Sequence, residues 1–329
     1  MFLPVLWVVG HAIVCAAPSE DVAANEACHA RTAGYLSRLV SGQLRASAYF
    51  DCFRPWPHMQ AFLDALSHMH PSALTSVPVG STTTGLPIVA YHVHAATAGK
   101  KALYVQATQH AREWIAGSSA VYLVAALLDA PGAVPFDVIV VPVVNVDGYE
   151  ATWTTSRRYQ RKNARAVDLN RNWPNPHWDS QGNSTPVTSD AFPGSSALSE
   201  TETSSLHTWL QVQAPGLAAV VDLHSYAGQV LFPCADGHDK APLQTQQLAM
   251  AMAQAMGADY GSEQMLRGLP LVGTFRDYAH RQLQTLSFTV ELAGDDFVVP
   301  AARIRSHGEE IVRATFRLAQ GLLTPPSST

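Results

Sequence analysis

The sequence has few charged residues and no strong excess of either sign. Charged side chains make up 14% of its 329 residues, and 21 Lys and Arg stand against 26 Asp and Glu, for a net charge of -5. This balance offers no basic surface for nucleic acid or an anionic membrane, so we expect neither as a partner. From residue 20 onward there is also no apolar run long enough to span a bilayer. The 47% hydrophobic content supports a large core, and the length suits one α/β domain.

Cysteine is scarce as well, and its spacing excludes a structural zinc site built from CxxC pairs. After export, the second and third cysteines can form a disulfide and leave the last one free and buried. The four cysteines are Cys15, Cys28, Cys52 and Cys234.

The N-terminal run of residues 2–17 is apolar and closes on small residues. It predicts a secretory signal peptide (1–17) cleaved near Ala16 or Ala17, although no Lys or Arg precedes the apolar run. A buried N-terminal helix is the alternative. The sequon at Asn183 agrees with export. We therefore expect a secreted, extracellular protein.

The rest of the chain divides into three parts. Residues 18–48 are polar and weakly periodic, which predicts a short N-terminal extension. Residues 49–322 carry the regular pattern of one catalytic domain, and residues 323–329 predict a disordered tail. Apolar runs in the domain alternate between strands and helices, which indicates the α/β class. The predicted strands are 101–108, 136–145, 217–226 and 286–292, and the predicted helices are 59–69, 114–128, 243–257 and 300–323.

Four polar side chains follow or end these predicted strands: His110, Asn145, His224 and Glu291. In open α/β sheets, ligand sites gather at the carboxyl ends of the strands. A long polar stretch, 147–197, has little regular pattern, and loops of this length in compact domains are usually functional.

His110 and Glu113 are three residues apart at a strand–helix junction, close enough to bind one ion. A catalytic zinc needs three protein ligands and an open position, and His224 is the candidate third ligand. Asp222, two residues earlier on the same strand face, can orient a ligand. Taken alone, each of these residues has a simpler interpretation: a solvated helix start for the HxxE pair and a core histidine for His224.

Several further motifs decide between these interpretations. In these motifs, and in their order along the chain, the sequence resembles the zinc metallocarboxypeptidase family, carboxypeptidase A/B branch. The resemblance implies a single-domain, three-layer α/β/α fold with a central mixed β-sheet. It covers residues from about 49 to 322. The motifs are QHAREW (109–114), NVDGY (145–149), RKN (161–163), VDLNRNW (167–173), FPGSSALSETE (192–202), LHSY (223–226) and FTVEL (288–292).

The resemblance implies a role for each matching residue. His110, Glu113 and His224 would bind one Zn²⁺, and Glu291 would be the base that activates the zinc-bound water. Arg161 would stabilise the oxyanion. The terminal carboxylate of a peptide or protein would bind Asn170 and Arg171, and residues further upstream in the substrate would contact Arg112 and Tyr226.

Two positions depart from the family pattern. Counting back from Glu291, the family's mobile tyrosine falls on Leu269, so a hydrogen bond worth about 1–3 kcal/mol is expected to be missing. The base of the specificity pocket falls on Arg276, which resembles carboxypeptidase O and implies a preference for acidic C-terminal residues. A shift of register that places Arg276 on the surface is the alternative.

The N-terminal segment is also shorter than the family's inhibitory prodomain, so we expect secretion in an active or nearly active form. We expect a monomer. Two other functions share the metal set. One is a catalytically weak or inactive peptide-binding homologue, made plausible by Leu269. The other is a zinc amidohydrolase that acts on small acyl amino acids, which the Asn170–Arg171 pair disfavours because it suits the end of a peptide.

Overall fold

The computed structural model describes residues 20–96, 101–154, 156–179 and 184–323. The predicted signal peptide, the sequon residue Asn183 and residues 324–329 lie outside the described residues. In the described part of the chain, no helix combines the length and apolar character needed to cross a bilayer.

A mixed sheet forms the centre of the fold, and in the described part of the chain it has eight strands. The strands are β1 (Leu74–Ser81), β2 (Pro87–Val93), β3 (Ala102–Ala107), β4 (Asp137–Val141), β5 (Leu217–Ser225), β6 (Gln229–Leu231), β7 (Gly261–Glu263) and β8 (Leu286–Leu292). Their order in the sheet is β1-β2-β4-β3-β5-β8-β6-β7. Strands β3, β4, β5 and β8 run parallel to one another, while β1, β2 and β6 join antiparallel to their inner neighbours.

Helices cover both faces of this sheet, which confirms the expected α/β/α class. The described helices are α1 (Glu20–Arg31), α2 (Trp56–Met69), α3 (Trp114–Asp129), α4 (Val146–Thr152), α5 (Thr201–Gln213), α6 (Leu243–Met256), α7 (Phe275–Arg281) and α8 (Ile304–Leu323). Helices α2, α3, α6 and α8 pack in one hydrophobic cluster, and α5 and α7 in a second. Successive residues of β3 alternate between the clusters: Leu103 and Val105 face the first, and Tyr104 faces the second.

The segment assigned to an N-terminal extension contributes to this core. Its weak periodicity conceals α1, and Val22, Tyr35 and Leu44 are buried in the larger cluster. The Asp129 carboxylate, at the end of α3, accepts hydrogen bonds from the backbone N–H groups of Leu44 (2.8 Å) and Arg45 (3.0 Å). From Val22 on, this segment therefore packs as part of the domain. At the other terminus α8 continues to Leu323, the first residue of the predicted tail.

A disulfide joins Cys28 of α1 to Cys52, with 6.0 Å between their Cα atoms. The pairing agrees with the sequence expectation. Cys234 is free and buried, and burial raises the pKa of its thiol to about 11. The disulfide therefore links α1 to the chain that leads into α2.

Breaking this disulfide should lower the free energy of unfolding by about 3 kcal/mol, because it closes a loop of 24 residues. Urea denaturation of the Cys28→Ala/Cys52→Ala variant, compared with the oxidised wild type, measures the loss. A non-chelating phosphine reductant should destabilise the wild type and leave the variant unchanged. Equal unfolding free energies for oxidised and reduced wild type would contradict this expectation.

Candidate metal centre and active-site cavity

The carboxyl ends of the parallel strands bring the candidate site together. His110 follows β3, His224 lies near the end of β5, and Glu291 lies near the end of β8. His224 and Glu291 are register partners on adjacent strands. Asn145, after β4, serves a structural purpose: its side chain caps α4 by accepting from Gly148 N (3.0 Å).

A tight turn after β3 presents the first metal motif. Thr108 adopts a left-handed φ of 59°, and its hydroxyl donates to Pro142 O at 3.0 Å. Gly117 in the first turns of α3 lies against that hydroxyl, where a Cβ atom would come within 2.7 Å of it. Gly117 therefore lets α3 pack close behind the turn, so that Glu113, just before α3, faces His110.

Three side chains converge on one point in the buried interior. His110 Nδ1 lies 2.8 Å from Glu113 Oε1, and His224 Nδ1 lies 3.0 Å from both His110 Nδ1 and Glu113 Oε2. All three residues are at most 4% exposed. Nitrogen and oxygen ligands at about 2.0–2.1 Å from a tetrahedral zinc are separated by about 3.3 Å. The three donors therefore fit one zinc ion after shifts of a few tenths of an ångström.

Two buried carboxylates hold the outer nitrogens of these histidines. Asp168 Oδ1 lies 3.1 Å from His110 Nε2, and Asp222 Oδ2 lies 2.7 Å from His224 Nε2. Each carboxylate accepts the Nε2 proton, so both Nδ1 lone pairs are available to a metal. Gln109 Nε2 donates to Asp222 at 2.7 Å and helps to hold it.

Charge in this cluster is strongly coupled. Burial acts to raise the pKa of Glu113, but the charges and hydrogen bonds of His110 and His224 outweigh it and lower that pKa. For His224, burial acts to lower the pKa, yet Asp222 and Glu113 raise it well above its usual value. Burial opposes ionisation of Asp168 too, but Arg161 and His110 hold its pKa well below its usual range. The carboxylates at this centre thus favour a cation.

A cavity of about 350 Å³ opens beside the three donors. Glu291 lines it, and its carboxylate makes no hydrogen bond or ion pair with any described residue. Burial and the charge of Glu113 raise the pKa of Glu291, against the opposing charges of His224, His110 and Arg161. A free carboxylate with a raised pKa is suited to accept a proton from water. The candidate residues that line the cavity are His110, Glu113, Arg161, Asn170, Arg171, Tyr226, Leu269, Arg276 and Glu291.

Three further groups in the cavity have positions fixed by protein contacts. Arg161 donates from Nε and Nη2 to Asp168 Oδ2, at 2.9 and 2.8 Å, which orients its guanidinium. Asn170 Oδ1 accepts from Phe275 N (2.8 Å), so its Nδ2 faces the site, 3.2 Å from His224 Nε2. His224 Nε2 already donates its proton to Asp222, so it does not accept from Asn170. The N–H groups of Asn170 Nδ2 therefore remain available to a ligand. The Arg171 guanidinium beside it donates to Asn170 O at 2.7 Å.

Arg112 is not among the residues that line the cavity. Its guanidinium lies 4.0 Å from the ring centroid of Phe297 and pairs with Asp190 at 3.3 Å. Phe297 does line the cavity and packs against Tyr226, with ring centroids 4.8 Å apart. Arg112 therefore supports an aromatic wall of Phe297 and Tyr226 from behind.

The two residues that depart from the family pattern, Leu269 and Arg276, lie at different depths in the cavity. Leu269 is 63% exposed at the rim of the cavity, whereas Arg276 is 2% exposed and lines it. This burial rejects the alternative of a surface arginine. The Arg276 guanidinium makes one hydrogen bond to the described residues, from Nη2 to Gln264 O at 3.3 Å, and its Nε has no hydrogen-bond partner among them.

The nearest carboxylate to Arg276 belongs to Asp277, whose Oδ1 lies 3.9 Å from Arg276 Nε. That carboxylate already accepts from the backbone N–H groups of Ala235 (2.8 Å) and Asp236 (3.3 Å), and it lies 3.8 Å from Arg281. Arg276 is thus a buried cation with an incomplete set of partners beside the cavity.

No sequence pattern considered above predicts a role for Asp168, Phe297 or Arg158. Asp168 lies inside the VDLNRNW motif, and this position is the sequence feature that would indicate a role at the site. Arg158 is 2% exposed and 3.8 Å from the Trp114 ring; it donates to Arg112 O (2.9 Å) and pairs with Asp21 of α1. It therefore ties α1 to the loop that carries the metal motif, a contact between residues far apart in sequence that only the fold reveals.

Comparison with known proteins agrees with this geometry. A family model described as zinc carboxypeptidase matches residues 59–314. A zinc carboxypeptidase of Simulium vittatum is 31% identical over 281 residues, 78% of this chain and 92% of that protein. An inactive metallocarboxypeptidase of Talaromyces marneffei is 30% identical over 210 residues, 56% of this chain but only 35% of that protein. The crystal structure of carboxypeptidase A from Helicoverpa armigera has a TM-score of 0.77 at 26% identity, over 90% of this chain and 80% of that one. The chain belongs to the zinc carboxypeptidase family, whose members are metallocarboxypeptidases.

Proposed function

We propose that this protein is a secreted, monomeric, zinc-dependent carboxypeptidase that hydrolyses the C-terminal peptide bond of peptides and proteins. The observation that carries the proposal is the arrangement around one cavity: three buried metal donors, the free carboxylate of Glu291, and the Asn170–Arg171 pair. The apolar residues 2–17 and the Cys28–Cys52 disulfide support export, because disulfides persist in oxidising compartments.

The chemistry divides among these residues. His110, Glu113 and His224 would hold one zinc ion, which when bound supplies a Lewis acid that polarises the scissile carbonyl and acidifies water. Glu291 accepts a proton from the attacking water at its carboxylate and returns it to the leaving amine. Arg161 stabilises the negative charge that develops on the carbonyl oxygen.

Exopeptidase action follows from the Asn170–Arg171 pair. The Nδ2 group of Asn170 and the guanidinium of Arg171 present N–H donors to the cavity, and a peptide carboxylate accepts both. An internal peptide bond offers no such carboxylate, so binding here selects the chain end. Tyr226 and Phe297 would contact residues upstream of the scissile bond.

Arg276 supports a preference for Glu or Asp as the released residue. A buried guanidinium with an incomplete set of partners is costly, and a substrate carboxylate in the cavity would complete that set. Arg276 Nε has no hydrogen-bond partner among the described residues, and the Asp277 carboxylate lies 3.9 Å from it. Leu269 supplies no phenol at the rim, which weakens substrate binding and leaves Glu291 and Arg161 in place.

An inactive peptide-binding homologue is the second candidate, favoured by Leu269 and by the relative described as inactive. The intact donor set and the free Glu291 carboxylate weigh against it. Metal removal separates the two.

Treatment with 1,10-phenanthroline should abolish release of the C-terminal residue from a peptide, and one equivalent of zinc should restore it. Amino acid release is followed by mass spectrometry, with metal content measured in parallel. The same peptide with an amidated C-terminus should remain uncut, because it offers no carboxylate to Asn170 and Arg171. Release that resists the chelator, or equal cleavage of the amidated peptide, would refute the proposal.

A further inference from the structure

A second group of potential metal ligands lies at the opposite edge of the sheet. His92 is the second-to-last residue of β2, His94 follows the end of that strand, and Asp137 is the first residue of β4. Since β4 is parallel to β3, whose carboxyl end leads to His110, the start of β4 faces away from the cavity. His92 and His94 are two residues apart along an extended chain, so their side chains share one face. The pairing of Val93 with Val138 sets Asp137 beside His94 on that face.

The ligand atoms of these three residues are close. Asp137 Oδ2 lies 3.0 Å from His92 Nε2 and 3.7 Å from His94 Nδ1, and the imidazole centroids are 4.2 Å apart. All three ligand atoms lie within 4.8 Å of one another. The separations bracket the value of about 3.3 Å for ligand pairs on a tetrahedral zinc, so small rotations close the set.

Neighbouring groups orient the ligands. His94 Nε2 lies 3.0 Å from Thr75 Oγ1 on β1, which leaves Nδ1 turned towards Asp137. Asp137 Oδ1 accepts from Ala95 N at 2.8 Å, so Oδ2 faces the histidines.

We propose that His92 Nε2, His94 Nδ1 and Asp137 Oδ2 form a second site for a borderline divalent transition metal, Zn²⁺ in particular. Two imidazoles select such ions over Mg²⁺ and Ca²⁺, which prefer oxygen. The side chains are 23–36% exposed, so water completes the coordination. A metal here connects β2 and β4 and, through Thr75, β1. Its role is structural, since it lies across the sheet from Glu291.

The alternative for these residues is a hydrogen-bonded His–Asp pair that binds no metal. Zinc titration of chelator-treated full-length protein, read by equilibrium dialysis and by Tm, decides between them. The wild type should bind two zinc ions per chain, and filling the second site should raise Tm by about 3 °C. The His92→Gln/His94→Gln variant should bind one zinc, lose the second rise in Tm and keep peptidase activity, which also reports that it is folded.

Two further variants make the result decisive. His94 lies beyond the last residue of β2, so His94→Gln leaves the strand pairing intact and should weaken the second site at least tenfold. The reciprocal variant His110→Gln/His224→Gln should keep the second zinc while losing the other and the activity. The experiment therefore distinguishes failure of the proposed catalytic zinc site from failure of the proposed second site. Equal zinc binding and equal Tm response in wild type and His92→Gln/His94→Gln would overturn the proposal.

Discussion

Replacing Glu291 with Gln should lower kcat by about 10²- to 10⁴-fold, the range expected for loss of a general base. The amide has nearly the same shape as the carboxylate but cannot take a proton from water. Because the side chain makes no hydrogen bond or ion pair with any described residue, the change breaks no structural contact. Zinc content and Tm should therefore stay near the wild-type values.

Steady-state kinetics on one peptide, with zinc content measured for each preparation, checks this prediction. Glu309→Gln is the matched control, since it makes the same chemical change on α8, where Glu309 accepts from Arg45 and Tyr122. That variant should retain activity. If Glu291→Gln kept full kcat with zinc bound, another group would have to be the base and the mechanism proposed above would be wrong.

The residues around zinc were accessible from sequence because each belongs to a short motif. His110 and Glu113 are three residues apart in the turn before α3, and His224 and Glu291 lie near the ends of strands that are largely buried on both faces. Such strands give continuous apolar runs, which is why β3, β4, β5 and β8 were predicted. The parallel arrangement of those strands then brings their carboxyl ends to one edge.

The outer strands escaped prediction for physical reasons. In β1, four consecutive residues (75–78) are exposed, so no alternation marks it, and β6 and β7 have three residues each. His92 and His94 are not predicted as ligands either, because Asp137 lies beside them only through the register of β2 and β4. Arg112 illustrates the same limit: its motif is visible in the sequence, but its position behind Phe297 depends on the loop after β8.

Arg276 is the site residue whose position the sequence left most open. Its distance from Glu291 along the chain predicts a position at the base of the pocket, whereas a shift of register predicts a position in solvent. The structure shows a buried guanidinium with one hydrogen bond to a described residue, beside a carboxylate that already accepts from backbone N–H groups. Burial lowers the pKa of Arg276, although Asp277 and Glu291 oppose the shift. Its incomplete pairing leads to the second large prediction.

Arg276→Met should lower kcat/KM for a peptide ending in Glu by about 30- to 5,000-fold, the equivalent of about 2–5 kcal/mol for truncating one partner of a buried charge pair. The same change should leave a peptide ending in Phe unaffected or improve it, because methionine makes the pocket apolar. The variant should fold, since it removes a buried cation whose guanidinium makes one hydrogen bond to the described residues.

Competition between peptides ending in Glu, Phe and Lys, with release followed by mass spectrometry, measures the preference. Arg267→Met is the matched control: it makes the same substitution in a residue that lines the same cavity but is exposed. Because a solvated cation contributes little, this control should keep the wild-type order of Glu before Phe. A wild type that releases Phe faster than Glu, or an Arg276→Met variant with an unchanged ratio, would show that Arg276 does not set the specificity. The zinc centre and Glu291 would be unaffected by that outcome, because they act on the peptide bond and not on the released side chain.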